Sequence, residues 1–217
     1  MSMELYFSPL ACSLATRIAL YEASADAGFI EVDNQSKRLR DGSDFYPINA
    51  LGQVPVLRTD DGWLLKENTA ILPYVADAYP ESGLAPAAGT AARAKLQEWL
   101  GFISTELHKG VFVTLLDPEA SAEVRSYTHQ RVALRFGVLD RHFAEHEFLQ
   151  DGFSVADAYL VTVLNWAQYS GIDLKAWPNV KKYYLKMAER PTVARALAEE
   201  MQLFAEEQVR RKQAKAS

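Results

Sequence analysis

One cysteine, Cys12, stands among 217 residues. With no second thiol the chain forms no internal disulfide, and no C-x-x-C pair is present for a two-thiol redox cycle. A lone thiol fits a reducing compartment, so the expected setting is the cytoplasm. Positive charge is also short. Against 23 Lys and Arg stand 28 Asp and Glu, for a net charge of -5. That excludes a general nucleic-acid binder, which needs a positive field. No apolar run approaches the roughly 20 residues of a membrane helix. The start of the chain lacks a basic region followed by an apolar core, so no secretory signal is expected. The phosphate-cradling patterns G-x-x-x-x-G-K-[ST] and G-x-G-x-x-G are missing too. What remains is an ordinary globular composition, long enough for one large or two small domains.

Periodicity changes along the chain. Up to about Pro80, short strand patterns alternate with helical ones. The strands are expected at Glu4–Phe7, Phe29–Val32, Val54–Arg58 and Trp63–Leu65. Thr59-Asp60-Asp61-Gly62 joins the last two as a hairpin. Helices are expected at Ser13–Ser24 and Asn68–Tyr79, on a small sheet that mixes parallel and antiparallel pairing. Residues 83–89, rich in Gly, Pro and Ala, read as a linker. Beyond it only helical periodicity remains, at Thr90–Leu116, Ala120–Glu145, Ser154–Tyr169, Pro178–Glu189 and Thr192–Arg211. Ser154-Val155-Ala156-Asp157 fits a capping box. The helix it opens is apolar nearly all round and is expected to run through the centre of the second domain.

Cys12 sits where the first strand hands over to the first helix. Unpaired N–H groups and the positive end of the helix dipole favour a thiolate there. The competing reading is a small buried hydrophobe. Val54-Pro55 opens a strand, where a residue lacking a ladder donor belongs. A cis bond would aim the Val54 backbone at a ligand. Glu67-Asn68-Thr69 begins a helix with Asn68 as expected N-cap, and helix-start N–H groups bind carboxylates. Lys37-Arg38-Leu39-Arg40 is either a solvated loop or, near a pocket, a partner for an anion. His108 lies within a long helix, and its charge can switch near neutral pH, which suits support of a thiolate. His142-Phe143-Ala144-Glu145-His146 matches the H-x-x-E-H zinc pattern in letters. A solvated helix end is the expected reading there, and no metal.

Several segments, taken in order, resemble the cytosolic glutathione transferases, and the bacterial beta class most. They are Leu5-Tyr6-Phe7-Ser8-Pro9 leading to Cys12-Ser13-Leu14, Asn49-Ala50-Leu51-Gly52-Gln53-Val54-Pro55, and Leu65-Lys66-Glu67-Asn68-Thr69. Glu98-Trp99-Leu100, Ser104-Thr105-Glu106-Leu107-His108-Lys109 and Phe153 to Tyr159 continue the series. The resemblance implies an α/β thioredoxin-like domain over residues 1–82, the linker, and an all-α domain over 90–217, assembled as a homodimer. It implies glutathione as co-substrate, joined to a small hydrophobic electrophile. Val54, before a cis Pro55, would pair with the cysteinyl backbone of glutathione. Glu67 and Asn68 would hold its γ-glutamyl end, Lys37 would reach its glycine carboxylate, and Gln53 would lie beside. Cys12 would contact the glutathione sulfur and form a mixed disulfide with it. His108 would stand near that sulfur, with Thr105 and Glu106 bordering the ligand. Many beta-class chains carry Asn where this one has Gly101, and Ser is common in the wider family where this one has Asn68.

Phe112, Val113, Leu115, Leu116, Trp166 and Tyr169 are candidates for the wall of an electrophile pocket or for core. Tyr6 and Ser13 are rival hydroxyl donors to the sulfur. The expected activity is conjugation, with thiol–disulfide exchange through Cys12. A glutaredoxin-like one-cysteine transferase and a non-catalytic binding module are the alternatives.

Overall fold

The computed structural model describes residues 2–216, with the side chains of the last helix described as far as residue 213. Its contacts divide the chain into two compact units: Met1–Ser82 with Pro191–Ser217, and Gly83–Arg190. The closing helix therefore groups with the first unit, a difference from the expected run of 90–217. Part of the reason is ionic and is described below.

The first unit is a thioredoxin-like domain with a five-stranded mixed sheet, ordered β3-β2-β1-β4-β5. The strands are β1 (Met3–Phe7), β2 (Ala27–Asp33), β3 (Arg38–Leu39), β4 (Val56–Arg58) and β5 (Leu64–Lys66). β1 pairs parallel with β2 and antiparallel with β4. Helix α1 (Leu14–Glu22) crosses between β1 and β2, as a parallel pair requires. The Asp61-Gly62 hairpin forms, with Val56 opposite Lys66 and Gly62 at φ +83°. Most boundaries differ from expectation by one or two residues, and two of the shifts bear on the site. β4 starts at Val56, so Val54 and Pro55 stand before the ladder. Trp63 belongs to the turn and is exposed. Helix α2 (Asn68–Ala78) follows.

The second unit is helical throughout its described residues. The single helix expected over Thr90–Leu116 is three segments. α3 (Ala91–Phe102) opens on Thr90, whose side chain accepts the Arg93 N–H. A π-wound stretch occupies Ile103–Phe112, and α4 (Val113–Leu116) closes the run. Gly110 explains part of the widening. A Cβ there would stand 2.7 Å from the Thr105 carbonyl oxygen, so only glycine fits unchanged. α5 spans Ala122–Glu145.

α6 (Val155–Asn165) is buried along its whole length, as its apolar sequence demands. It stops before Trp166, and α7 (Ala167–Ser170) ends on left-handed Gly171. The capping box closes. Ser154 donates its backbone N–H and its hydroxyl to one Asp157 oxygen, at 3.0 and 2.8 Å. The other oxygen takes the Leu149 N–H and the Tyr183 hydroxyl. Burial raises the Asp157 carboxyl pKa above the usual range. The linker is anchored to the same place, since buried Leu84 accepts the Val155 N–H at 3.0 Å. α8 (Pro178–Ala188) completes the unit.

The last helix, α9 (Pro191–Ala216), meets α1 in the first unit through charge. Arg17 of α1 is buried, its guanidinium stacked between the rings of Phe7 and Phe29 at 4.3 and 4.0 Å. Its Nε donates to Glu200 at 2.8 Å and its Nη1 to Glu199 at 3.3 Å. A cation so desolvated needs carboxylates close by, and α9 supplies both. No described helix is long and apolar enough to cross a membrane.

Candidate active site

The thiol is set by a short turn between β1 and α1. Ser13 holds it from within. Its hydroxyl accepts the Ser8 N–H at 3.3 Å and donates to the Ser8 carbonyl at 3.2 Å. Ser13 is fully buried in this work, so it staples the turn and does not present a donor to a ligand. Cys12 is half-buried, and its Sγ donates to the Val54 carbonyl at 3.2 Å. The Val54–Pro55 bond is cis.

The Val54 loop has its own staple. Buried Asn49 donates its side-chain amide to the Gln53 carbonyl at 2.7 Å, and its own carbonyl accepts the Gly52 N–H. Gln53 itself is exposed. Gly52 (φ +59°) lies under the Lys37 stem, and a Cβ there would stand 3.1 Å from Lys37 Cδ. Lys37 is thus brought from the far side of β2 to the Val54 loop. Its ammonium bonds Asn34 at 2.9 Å, and partial burial lowers its pKa. The remainder of the basic run is spent elsewhere, with Arg38 on the Gly42 carbonyl and Arg40 near Glu31.

At the start of α2 the N-cap position falls to Glu67 rather than Asn68. Glu67 has φ +67°, unusual for a residue with a Cβ, and its side chain is exposed. Such backbone strain clusters at functional sites. Asn68 is buried and turned inward. It donates to the Cys12 carbonyl at 2.8 Å and accepts from Thr16 at 3.0 Å. Its side chain thus fixes the cysteine turn to α1 and α2. The backbone N–H groups at the helix start are what it leaves for an anion.

Tyr6 is buried in a cluster with Val32, Phe45, Val54 and Val56. Burial raises its hydroxyl pKa, an environment that opposes a role as acid to the sulfur.

In the second unit, His108 is buried with Nδ1 at 2.7 Å from the Tyr159 hydroxyl and its ring against Trp166. Burial, helped by the Lys109 charge, lowers its pKa to about 4. It is therefore neutral at neutral pH, which corrects the expectation of a charge switching there. Thr105 is exposed, its hydroxyl returned to the Gly101 carbonyl at 3.0 Å. The Glu106 carboxylate pairs with Arg135 at 2.5 Å. A Cβ at Gly101 would meet nothing within 4 Å, so the position has room for a side chain it does not carry. Of the pocket-wall candidates, Phe112, Leu115 and Trp166 are core, while Val113, Leu116 and Tyr169 are exposed.

In the zinc-like letters both histidines bond backbone carbonyls. His142 Nε2 bonds the Phe148 carbonyl, and His146 Nδ1 bonds the His142 carbonyl. Among the described residues no three His, Cys, Asp or Glu side chains gather to hold a metal ion. Sequence reasoning also missed Arg17, Glu199 and Glu200. The only signal was a basic residue within an otherwise apolar α1 face.

A thioredoxin-like sheet with a thiol facing the carbonyl of a cis-prolyl bond defines a class of thiol-handling proteins. Comparison narrows the class. Residues 1–77 match the family model "Glutathione S-transferase, N-terminal domain", and residues 102–191 match "Glutathione S-transferase, C-terminal domain". Glutathione S-transferase GstA of Escherichia coli O157:H7 is 39% identical over 199 residues, covering 91% of this chain and 98% of that one. A sphingomonad glutathione S-transferase complexed with glutathione is 42% identical, with a TM-score of 0.87. A beta-class glutathione S-transferase of Sphingomonas chungbukensis is 41% identical, also with a TM-score of 0.87. Each structure is covered to 98% and covers 91% of this chain. The chain belongs to the glutathione S-transferase family, on its bacterial beta-class branch, and is a transferase with glutathione as co-substrate.

Proposed function

We propose that the protein joins glutathione to hydrophobic electrophiles and also exchanges it with disulfides through Cys12. One observation carries this reading. The Cys12 sulfur lies 3.2 Å from the Val54 carbonyl, on a backbone segment outside the sheet ladder. An extended peptide docks on such backbone groups. In this reading Val54 and Pro55 take the cysteinyl part of glutathione, with Gln53 beside it. Lys37 takes the glycine carboxylate, and Glu67 with the Asn68 backbone takes the γ-glutamyl end. Thr105, Glu106 and His108, which belong to the second unit, are assigned to the ligand by the family resemblance alone, with His108 as a neutral hydrogen-bonding group.

In exchange, the Cys12 thiolate attacks the glutathionyl sulfur of a mixed disulfide. The new S–S bond forms as the old one breaks, and the leaving thiolate takes a proton from water. A second glutathione thiolate then attacks the Cys12-bound glutathione, releasing glutathione disulfide and the Cys12 thiolate. In conjugation, the glutathione thiolate attacks the electrophilic carbon directly.

The protein works as a homodimer in the cytoplasm. Cys12→Ala tests the thiol. Turnover of hydroxyethyl disulfide is expected to disappear while conjugation of a chloronitrobenzene persists. Undiminished exchange in the variant would refute the role given to Cys12.

A further inference from the structure

The most buried carboxyl of the first unit comes from its last helix. Glu200 on α9 is fully buried. One of its oxygens accepts the Leu10 backbone N–H at 2.7 Å, and the other accepts Arg17 Nε at 2.8 Å. Leu10 has φ +57°, a left-handed conformation that is unfavourable for a residue with a Cβ. Such a turn persists only where its surroundings hold it. Two residues on stands Cys12. The turn is held at three points: Ser8 by Ser13, Leu10 by Glu200, and the Cys12 carbonyl by Asn68.

We propose that Glu200 is a positioning residue for Cys12, holding Leu10 in its left-handed turn and so fixing where the sulfur stands against the Val54 carbonyl. This rests on the reading of Cys12 as the thiol that meets glutathione.

The clamp is also sensitive to pH. The groups facing Glu200 are Arg17 and the Leu10 N–H. Around them lie Glu199, Tyr21 and Arg195, with Glu199 accepting from Tyr21 at 2.5 Å and from Arg195 at 2.8 Å. Burial lifts the Glu200 carboxyl to about 7, against the pull of Arg17. Once ionised, it accepts from both donors with charge-assisted strength, roughly twice that of neutral bonds. The grip on Leu10 therefore tightens as pH rises through about 7. Overall stability moves the other way, since a carboxyl raised above its unfolded pKa loses its contribution as pH rises through the folded value. A purely structural Glu200 would show the second trend alone.

The test is the rate of Cys12 alkylation by iodoacetamide in the full-length protein, from pH 5.5 to 9. Wild type is compared with Glu200→Gln and Glu200→Ala, with melting temperatures measured alongside. Gln keeps an acceptor for Leu10 and removes the ionisation. Wild type is expected to show an inflection near pH 7 that Glu200→Gln lacks. Glu200→Ala is expected to react roughly tenfold more slowly at pH 8, the size of one charge-assisted hydrogen bond, with Gln restoring part of the loss. Should Ala unfold, the Gln profile decides alone. Coincident profiles for folded wild type and Gln would overturn the proposal. Altered alkylation with unaltered glutathione turnover would uphold the positioning and remove Cys12 from the transfer reaction instead.

Discussion

Acidification from pH 7 to pH 4 is expected to destabilise the protein through His108, and the size follows from its setting. The ring is 7% exposed, bonded at Nδ1 to Tyr159 and packed on Trp166. Its pKa falls from 6.5 to about 4 in the fold, chiefly by burial. Between those two values the unfolded chain binds the proton and the folded chain does not. Stability therefore rises with pH across this window and is lost as pH falls. At 1.36 kcal/mol per pH unit the full loss is about 3 kcal/mol, a substantial fraction of a typical folding free energy. Urea denaturation of wild type and His108→Asn at pH 7, 6, 5 and 4 isolates the effect. Asn places its amide near the Nδ1 edge and does not titrate. The variant is expected to start lower at pH 7, from lost ring packing, and to fall less on acidification. The gap between the two should close by about 3 kcal/mol. A constant gap, or a His108 ring that titrates near 6.5 by NMR, would refute the reasoning. The same displacement removes His108 from the pH–activity profile between pH 6 and 8.

Two further substitutions test the second unit. Ser154→Ala removes one hydroxyl donor from fully buried Asp157 and is expected to lower stability by about 1–2 kcal/mol, read as a lower urea midpoint with unchanged slope. Gly110→Ala forces a methyl to within 2.7 Å of the Thr105 carbonyl, a backbone atom with little freedom to yield. A loss of about 1–3 kcal/mol is expected in thermal unfolding, and an unchanged melting temperature would show that the widened turn relaxes without cost.

The readable parts of the chain were those where local chemistry and long-range packing agree. The Asp61-Gly62 hairpin, the Cys12 turn and the Ser154–Asp157 box each follow from a few adjacent residues. β3 escaped notice because it is two residues long and Leu39 is its only apolar member. The π-wound stretch keeps apolar residues at nearly helical spacing, so periodicity alone reads straight through it. Asn68 has the chemistry of a cap, and only the fold shows that its amide is already spent on Cys12 and Thr16. The ownership of α9 was invisible for a related reason. An amphipathic face tells that a helix packs, and not against what. Arg17 and Glu200 are unremarkable letters until the fold brings them together.

The bond between Leu10 and Glu200 spans 190 residues of sequence. A ribosome delivers the thiol turn well before its acceptor. The whole helical unit, 83–190, is made in between. The first unit is therefore complete in space only after residues 83–190 have been made. Its sheet has the strands to pair beforehand, but the Arg17 guanidinium and the Leu10 N–H wait for carboxylates not yet made. Contacts so distant in sequence form slowly. A nascent chain stalled before residue 200 is expected to carry Cys12 on an unclamped turn.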